Sequence, residues 1–401
     1  MKSPVRNDRA FLLFSVQRSG NLPKMIGGVM KLAVVGRGMI GSAATRYLAE
    51  AGYDVTLIGT GEPARYSTHQ GVFASHYDEG RITRGLDPVP FWSNASRASI
   101  ARYRGLEAKT GIRFYHEVGL LMSGLEGGQG LIGDVAEVAR RADLTCDYLR
   151  GADLNSRFPY FAFPDGTLGL HERTNAGYIN PRRLVEAQLN AAKTAGAKFI
   201  TSEVLGIDEN AKRVRVDLVG AQEDYDAVLL ATGGFTQGLL GGQVPLTVYA
   251  RTVALFPLDK AEQARLAGMP SHISLPEDGR DPYLLPPILY PDGQVYLKLG
   301  GDPQDVVLEA AYDVKDWFRS GGSDAVGAFL EDEIRARIPA LNCGPRKILP
   351  CVTTFTQDEL PVIEKVGSRI TVAVGGNGKA AKNSDELGRL AAEALTGRAI
   401  G

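Results

Sequence analysis

A glycine-rich turn between an apolar strand and a helix is the feature that most constrains this chain. Lys31–Val35 has the composition of a buried strand and leads directly into the segment GRGMIG at residues 36–41. Apolar residues at helical spacing continue as far as Gly52, and a second strand is predicted at Asp54–Ile58. The order strand, glycine turn, helix and strand predicts a dinucleotide-binding unit.

Five of the six residues of this turn have an expected part in binding the cofactor. Gly36 permits the tight turn, Gly38 lets the backbone approach a pyrophosphate, and Gly41 lets the helix pack closely on the strand. Met39 and Ile40 begin the helix, whose N-terminal N–H groups and positive dipole favour a phosphate.

The second strand lacks the acidic residue that usually holds the adenosine ribose hydroxyls. Ile58 is followed by Gly59, Thr60 and Gly61, and Glu62 comes three positions late. Either Glu62 reaches back to the ribose, or the ribose is held by Thr60, by backbone or by water. We place Thr60 among the expected cofactor-binding residues.

The nucleotide fold is interrupted after two strands and resumes much later in the chain. A helix is predicted at Pro181–Ala195, and strands around Lys198–Ile207 and Arg213–Leu218. A buried strand ending in a glycine-rich turn then covers Asp226–Gly234. A nicotinamide dehydrogenase normally completes its nucleotide unit without such interruption, whereas large flavoprotein oxidoreductases are split in this way. The prediction is an α/β fold with a discontinuous, Rossmann-like FAD-binding domain.

Composition excludes several other classes of protein. The 401 residues carry 45 Lys and Arg against 46 Asp and Glu, so the net charge of −1 gives no electrostatic reason to expect a nucleic-acid or anionic-membrane partner. No apolar run is long enough for a membrane helix. Three cysteines are too few and too scattered for a disulfide scaffold or a zinc site, and no metal is expected. We expect a cytoplasmic protein.

Residues 1–29 differ in character from the rest of the chain. This segment is basic and has one short apolar run without a clear cleavage site. A targeting peptide, a disordered tail, or a start codon placed too early, with Met25 or Met30 as the true start, would each explain it. The segment is excluded from the predicted fold.

Further motifs lie at widely separated places, and their order and spacing are more specific than any one of them. They are the dinucleotide turn, SHYDEGRITR at residues 75–84, LKLG at 297–300, CVTT at 351–354 with Asp358-Glu359, and GGNGKAAKNS at 375–384. Over roughly residues 31–395 the chain resembles the D-amino-acid-oxidase superfamily of FAD enzymes, and within it the monomeric sarcosine oxidase branch.

Two arginines of the second motif acquire roles from the resemblance. Arg81 and Arg84 are predicted in a loop, where residues three apart on a turn or helix share a face, and taken alone they could be surface cations. The resemblance implies that Arg81 lies near the flavin and that Arg84 grips a substrate carboxylate, a task that suits a planar guanidinium. His76 falls where the branch often has a residue facing the flavin, so His76 and Arg81 are candidate catalytic residues.

Lys298 is the third candidate catalytic residue. It lies in the predicted strand Gln294–Leu299, and an edge-strand lysine would ordinarily point to water. The resemblance implies instead that Lys298 lies at the flavin N5 atom. There its charge would help dioxygen accept the first electron, because a cation stabilises developing superoxide.

The last glycine-rich motif precedes the C-terminal helix, which is predicted at Asp385–Leu395 with Ser384 as its N-cap. Gly376, Asn377 and Gly378 are expected to contact the cofactor, since a loop leading into a helix N-terminus stabilises negative charge.

Basic residues of the same motif are expected to bind the substrate. The resemblance implies that Lys382 binds the substrate carboxylate opposite Arg84. Lys379 departs from the sarcosine oxidase pattern and suggests a second substrate carboxylate. Tyr283, at the start of a predicted strand, is grouped with these substrate-binding residues.

Cys351 carries the most direct expectation about the cofactor. An isolated cysteine is most often a small core residue. The resemblance implies a covalent bond from the matching cysteine to the flavin 8-methyl group, which requires a thiolate that nearby cations favour. The expected cofactor is therefore FAD, with covalent attachment through Cys351 left open. Cys146 and Cys343 are expected to be core residues.

The expected organisation has two domains. Residues 30–115, 176–246 and 345–401 form the FAD-binding domain, and residues 116–175 and 247–344 form a substrate domain with a mostly antiparallel sheet. Strands are predicted at Val253–Leu258, Tyr283–Leu289 and Gln294–Leu299, with Pro286-Pro287 interrupting regular pairing.

The expected reaction is oxidation of a carboxylated secondary amine, an N-substituted glycine such as sarcosine, iminodiacetate or another N-carboxymethyl amino acid. The imine formed is hydrolysed, and dioxygen is reduced to hydrogen peroxide. The enzyme is expected to be a monomer or a small homo-oligomer. The alternatives are an FAD-dependent dehydrogenase that passes electrons to a carrier, a glycine or D-amino-acid oxidase with noncovalent FAD, a nicotinamide dehydrogenase, and a non-catalytic flavin-binding protein.

Overall fold

A computed structural model describes residues 30–400 of the chain, so the expectations for residues 1–29 lie outside the described part. The strands are β1 (Lys31–Val35), β2 (Asp54–Ile58), β3 (Arg81–Thr83), β4 (Tyr115–His116), β5 (Leu120–Leu125), β6 (Asp147–Arg150), β7 (Thr167–Glu172), β8 (Gly177–Ile179), β9 (Lys198–Ile200), β10 (Val204–Glu209), β11 (Val214–Leu218), β12 (Ala221–Tyr225), β13 (Ala227–Leu230), β14 (Thr247–Pro257), β15 (Ser271–Leu275), β16 (Tyr283–Leu289), β17 (Val295–Gly300), β18 (Val306–Val307), β19 (Lys347–Phe355), β20 (Val362–Lys365) and β21 (Ile370–Val374). The helices are α1 (Met39–Glu50), α2 (Pro90–Thr110), α3 (Ile132–Arg141), α4 (Gly151–Arg157), α5 (Pro181–Thr194), α6 (Thr236–Leu240), α7 (Lys260–Arg265), α8 (Ala311–Ser320), α9 (Asp324–Arg337) and α10 (Ala380–Thr396).

The first sheet is built from strands that are far apart in the sequence. Its order is β20-β21-β13-β1-β2-β9, and all neighbours run parallel except β20 and β21. Leu32 and Val34 pack with helices α1 and α10 on one face, whereas Ala33 and Val35 pack with the small sheet β10-β11-β12 on the other. Side chains alternate along a strand, and both faces are covered, so every residue of β1 is apolar after Lys31. The predicted α/β fold with an interrupted Rossmann-like unit is confirmed.

The second large sheet is mostly antiparallel. Its order is β18-β14-β17-β16-β15-β5-β7-β6, β19 also pairs with β14, and β15 and β5 are its parallel neighbours. The pairing of β16 with β17 shifts register between Leu285 and Ile288, where Pro286 and Pro287 lack backbone donors. β19 pairs with β14 from Lys347 to Phe355, so a strand from the predicted FAD-binding segment extends the second sheet. The domain boundaries themselves stay a prediction.

The C-terminal helix begins earlier than the sequence predicts. α10 starts at Ala380, and the Ser384 hydroxyl donates to the carbonyl of Ala381 inside the helix, so Ser384 is not its N-cap. Gly378 has a φ of +68°, which ends the glycine loop, and two alanines with high helix propensity begin the helix shortly afterwards. Lys382 therefore lies in the first turn of α10.

The expectation of a loop is wrong for Arg81, whereas Arg84 lies outside any helix or strand. Arg81 begins β3, which pairs with β8, and Arg84 directly follows this strand. Residues three apart along a strand face opposite sides, so the two arginines do not share a face and each contacts its own aspartate.

No helix within residues 30–400 combines the length and the apolar composition that a membrane crossing requires.

Candidate active site

A cavity of about 380 Å³ lies at the carboxyl ends of β1, β2 and β13, within the size range of ligand pockets. The dinucleotide turn forms one wall. Gly36 has a φ of +113°, and a Cβ there would lie 2.3 Å from the carbonyl oxygen of Ala231. A Cβ on Gly41 would lie 1.9 Å from the carbonyl oxygen of Gly36, whereas a Cβ on Gly38 would have no atom of the described chain within 4 Å apart from its own neighbours. Gly36 and Gly41 thus permit close backbone packing, and Gly38 leaves open space on the cavity side.

Most of the expected cofactor-binding residues line this cavity. They are Gly36, Gly38, Met39, Ile40, Thr60, Cys351, Gly376 and Gly378, together with the candidate catalytic residues His76 and Arg81. Asn377 instead lies under the glycine loop, where its side chain accepts from the backbone N–H of Thr356 at 2.9 Å. Gly41 packs behind the turn.

Several features of the lining fit FAD. The N-terminus of α1 opens on the cavity without a side-chain cap, so its free N–H groups can bind phosphate. His76 Nδ1 and Thr353 Oγ1 are buried polar atoms without a hydrogen-bond partner among residues 30–400, and both residues line the cavity. Buried polar groups are normally paired, so these atoms are consistent with a polar ligand. Burial lowers the pKa of His76 to about 4, which makes it neutral near pH 7.

The thiol of Cys351 lies beside a cation at the cavity wall. Arg81 Nη2 donates to Cys351 Sγ at 3.4 Å, and the same nitrogen donates to the carbonyl of Ser75 at 3.2 Å. The structure thus brings together Arg81 and Cys351, which are separated by 270 positions in the sequence.

Lys298 belongs to a buried cluster behind Arg81. β17 lies between β14 and β16, so Lys298 is in the interior of the sheet rather than at its edge, and its side chain is fully buried. Lys298 Nζ donates to Asp78 and to the carbonyl of Gly80 at 2.7 Å, and Arg81 also pairs with Asp78. Tyr283 lies beneath the ammonium, with its ring centroid 5.5 Å from Nζ.

The pKa values in this cluster reflect burial and charge together. Burial and the neighbouring Arg81 lower the pKa of Lys298 to about 8, although Asp78 opposes the shift. Burial alone would raise the pKa of Asp78, but Lys298 and Arg81 hold it below its usual range. Asp78 is therefore an anion between two cations.

A second cluster contains the three basic residues expected to bind substrate. Asp87 is fully buried, and its carboxylate lies 2.7 Å from Lys382 Nζ, 3.2 Å from Lys379 Nζ and 3.6 Å from Arg84 Nη2. Arg84 Nε is buried and has no hydrogen-bond partner in the described part of the chain. The structure brings Arg84, Lys379 and Lys382 together around one internal carboxylate and leaves a donor of Arg84 unused.

The charge of this cluster depends on pH. Burial and the neighbouring Arg84 lower the pKa of Lys382 to about 7, while Asp87 opposes the shift. Burial would raise the pKa of Asp87, yet Lys382 and Lys379 keep it below its usual range. Asp87 stays ionised, and Lys382 titrates near neutrality.

Glu172 fixes the backbone between Arg84 and Asp87. Its carboxyl group accepts from the N–H of Gly85 at 3.0 and 3.1 Å and from the N–H of Leu86 at 3.2 Å. Burial raises the pKa of Glu172 to about 7, since the loss of hydration outweighs these hydrogen bonds.

The sequence analysis missed Asp78, Asp87 and Glu172. Asp78 and Arg81, like Arg84 and Asp87, are opposite charges three positions apart, and this spacing was an available signal. Glu172 lies at the end of β7 and reaches the site through the packing of two distant segments, so no local pattern indicates it.

Comparisons with known protein sequences cover most of the chain. Residues 31–394 match the family described as FAD dependent oxidoreductase. The chain is 26% identical over 384 residues to monomeric sarcosine oxidase of Bacillus sp. (strain B-0618), covering 91% of this chain and 92% of that protein.

Two solved structures share the fold. A point mutant of NikD, an amino acid oxidase essential for nikkomycin biosynthesis, is 18% identical with a TM-score of 0.74, covering 92% of this chain and 93% of that one. Iminodiacetate oxidase from Chelativorans sp. BNC1 is 16% identical with a TM-score of 0.70, covering 92% and 96%.

Proposed function

This chain belongs to the family of FAD-dependent oxidoreductases, and we propose that it oxidises amines and that its substrate is a carboxylated secondary amine. The substrate class is an N-substituted glycine such as sarcosine, iminodiacetate or another N-carboxymethyl amino acid. The amine loses two electrons and two protons to give an imine, water hydrolyses the imine, and dioxygen takes up the electrons and protons as hydrogen peroxide. FAD, when bound, supplies the two-electron chemistry.

The unpartnered Nε of Arg84 is the observation that carries this proposal. The residue is 8% exposed, and a buried guanidinium nitrogen without an acceptor is costly unless a ligand supplies one. A carboxylate can accept from Nε and a terminal nitrogen together, which fixes its orientation. Arg84 would thereby hold the substrate with its reacting C–H bond in a defined position, and orientation supplies much of the rate acceleration.

The charges around Arg84 also favour an anionic substrate. Three cations, Arg84, Lys379 and Lys382, face one buried carboxylate from Asp87. With all four groups ionised, two positive charges remain uncompensated among them. Glu172 and Asp281 are further carboxyl groups that interact with Arg84, and burial raises the pKa of each, which favours their neutral forms. Asp87 offsets one of the three positive charges, and a second substrate carboxylate near Lys379, as in iminodiacetate, stays part of the proposal.

Lys298 would serve the step that uses dioxygen. Its ammonium is held by Asp78 and by the carbonyl of Gly80, behind the cavity-lining Arg81. A fixed cation in a buried environment stabilises negative charge that develops on oxygen more strongly than one in water.

Attachment of FAD through Cys351 is part of the proposal. The thiol lines the cavity and lies 3.4 Å from Arg81 Nη2, so the residue expected to form the bond is at the wall where the cofactor would lie. Acid precipitation of the purified protein tests this: yellow colour should stay in the pellet, and Cys351→Ala should release it to the supernatant. Release of the colour from the unmodified protein would contradict attachment and favour a noncovalent relative such as a glycine oxidase.

Oxygen uptake and peroxide formation test the reaction. We expect both with at least one amine from a panel of sarcosine, iminodiacetate, N-carboxymethyl amino acids and free amino acids. Flavin that is reduced by the amine but regains its colour in air only slowly would indicate a dehydrogenase that passes electrons to a carrier. We further propose a monomer, as the name of the sarcosine oxidase relative implies for that protein.

A further inference from the structure

The carboxyl end of β2 offers no acidic side chain for the adenosine ribose. Gly59 follows the strand, and a Cβ on it would lie 2.8 Å from the backbone nitrogen of Arg37 in the dinucleotide turn. This close approach excludes a side chain where an acidic residue ordinarily binds the ribose hydroxyls. A carboxylate for the ribose would have to come from another element.

Glu62, the nearest acidic residue along the chain, is engaged elsewhere. Its carboxylate accepts from Arg182 Nε and Nη2, both at 2.7 Å, and from the Tyr66 hydroxyl at 2.7 Å. Glu62 is not among the described residues that line the cavity. The expectation that Glu62 reaches back to the ribose is therefore not supported by its position.

Glu203 lies at the same end of the sheet as the end of β2. Strand β9 runs parallel to β2 with Ile58 opposite Ile200, and the N–H of Gly59 donates to the carbonyl of Ile200 at 3.1 Å. The carboxyl ends of parallel strands meet at one edge, so Glu203, three residues after β9, follows the strand end that pairs with the end of β2, where Gly59 and Thr60 lie. All three residues line the cavity.

The Glu203 carboxylate is held in place from a third element. Lys315 of α8 donates from Nζ to Oε1 at 3.0 Å, and both side chains are about one-fifth exposed, at 22% for Lys315 and 21% for Glu203. A Cβ on Gly71 would lie 3.2 Å from Oε2, so this loop closely backs the other oxygen. An ionised carboxylate has further lone pairs with which to accept hydrogen bonds.

We infer that Glu203 binds the adenosine ribose hydroxyls of FAD in place of the acidic residue that β2 lacks, and that Lys315 orients its carboxylate. The competing explanation is that Glu203 and Lys315 form only an ion pair that fastens α8 to the end of β9.

Binding of ADP to the apoprotein separates these explanations without using enzyme activity. The apoprotein is prepared in a Cys351→Ala background so that FAD can be removed, and ADP and 2′,3′-dideoxy-ADP are titrated by calorimetry. Glu203→Gln should weaken the binding of ADP by about tenfold, which is the usual effect of losing a hydrogen bond to a charged group. It should leave the dideoxy analogue within about twofold, because that ligand lacks the hydroxyls.

Glu62→Gln is the matched control, since it removes a carboxylate that follows β2, the neighbour of β9, but does not line the cavity. It should leave the affinity for ADP unchanged. Lys315→Met should reduce the preference for ADP over the dideoxy analogue, because the Glu203 carboxylate loses the ammonium that orients it. A lower thermal stability with an unchanged preference would contradict this role of Lys315. The parent apoprotein should itself bind ADP about tenfold more tightly than 2′,3′-dideoxy-ADP.

Equal affinity of the parent for both ligands would overturn the inference. If Glu203→Gln lowered the affinity for ADP and for the dideoxy analogue equally, the inference would also be overturned. The same holds if Glu62→Gln lowered the affinity for ADP and Glu203→Gln did not.

Discussion

Lys298 and Asp78 form a buried ion pair that joins the second sheet to the segment before β3. The two side chains are 0% and 2% exposed, and Arg81 pairs with the same aspartate from the cavity side. Loss of one cation would therefore still leave Asp78 paired, so the function of Lys298 can be tested without creating an isolated buried charge.

Lys298→Met should slow the reaction of dioxygen with the reduced flavin by about 10²- to 10³-fold, the usual cost of removing a fixed electrostatic stabiliser. The rate at which the amine reduces the flavin should change much less. Stopped-flow absorbance measures the two steps separately. Lys347→Met, at a lysine that is 56% exposed, is the control and should change neither step. Equal slowing of both steps by Lys298→Met would refute a specific role with oxygen.

Arg84→Ala should raise the KM for the carboxylated amine by about 10²-fold, because the substrate carboxylate loses a buried charged partner. Arg84→Lys should recover only part of the loss, since an ammonium cannot bind both carboxylate oxygens in a fixed plane. Steady-state kinetics measures the effect. Arg104→Ala, at an arginine that is 52% exposed, is the control. Unchanged KM in Arg84→Ala would remove the proposed carboxylate contact.

Binding of a carboxylate should weaken as pH rises through about 7. Burial and the neighbouring Arg84 lower the pKa of Lys382 to about 7, so its ammonium is present below this pH and lost above it. The dissociation constant of an amine-free carboxylate such as methoxyacetate should rise roughly tenfold between about pH 6 and pH 8. Flavin absorbance reports this binding. Lys382→Met should reduce the dependence to the part that Glu172 contributes, because burial raises the pKa of Glu172 to about 7 as well. An unchanged profile in this variant would assign the dependence to another group.

Asp87→Asn should shift substrate preference toward dicarboxylates. Removal of this carboxylate leaves Arg84, Lys379 and Lys382 without their shared anion. The ratio of kcat/KM for iminodiacetate to that for sarcosine should rise by about tenfold, and the free energy of unfolding should fall by roughly 3–5 kcal/mol. Asp305→Asn, which removes an aspartate that is 61% exposed, should change neither quantity. A destabilised Asp87→Asn enzyme with an unchanged ratio would show that Asp87 is only structural.

The fold could be predicted from the sequence because its signals are local. Gly36, Gly38 and Gly41 have distinct steric tasks within six residues, and the apolar strands on either side confirm their context. The predicted start of α10 is wrong because serine is a favoured N-cap residue and Ser384 was chosen on that ground. The helix instead begins soon after the glycine loop ends at Gly378.

The internal charge partners of the site could not be predicted in the same way. Arg84 and Lys382 were identified as a carboxylate-binding pair, but their contact with Asp87 depends on how β3 and α10 pack together. The same holds for Glu172 in β7 and for Glu203 after β9. Their places in the site depend on contacts with distant segments, which the residues next to them in the sequence do not indicate.

Anaerobic mixing with matched amines tests the central claim most directly. Sarcosine and dimethylamine differ by a carboxylate, and iminodiacetate and the N-carboxymethyl amino acids extend the carboxylated set. A carboxylated secondary amine should bleach the flavin absorbance, air should restore it with formation of peroxide, and dimethylamine should have no effect. Bleaching by dimethylamine at the same rate, or by none of the carboxylated amines, would contradict the account.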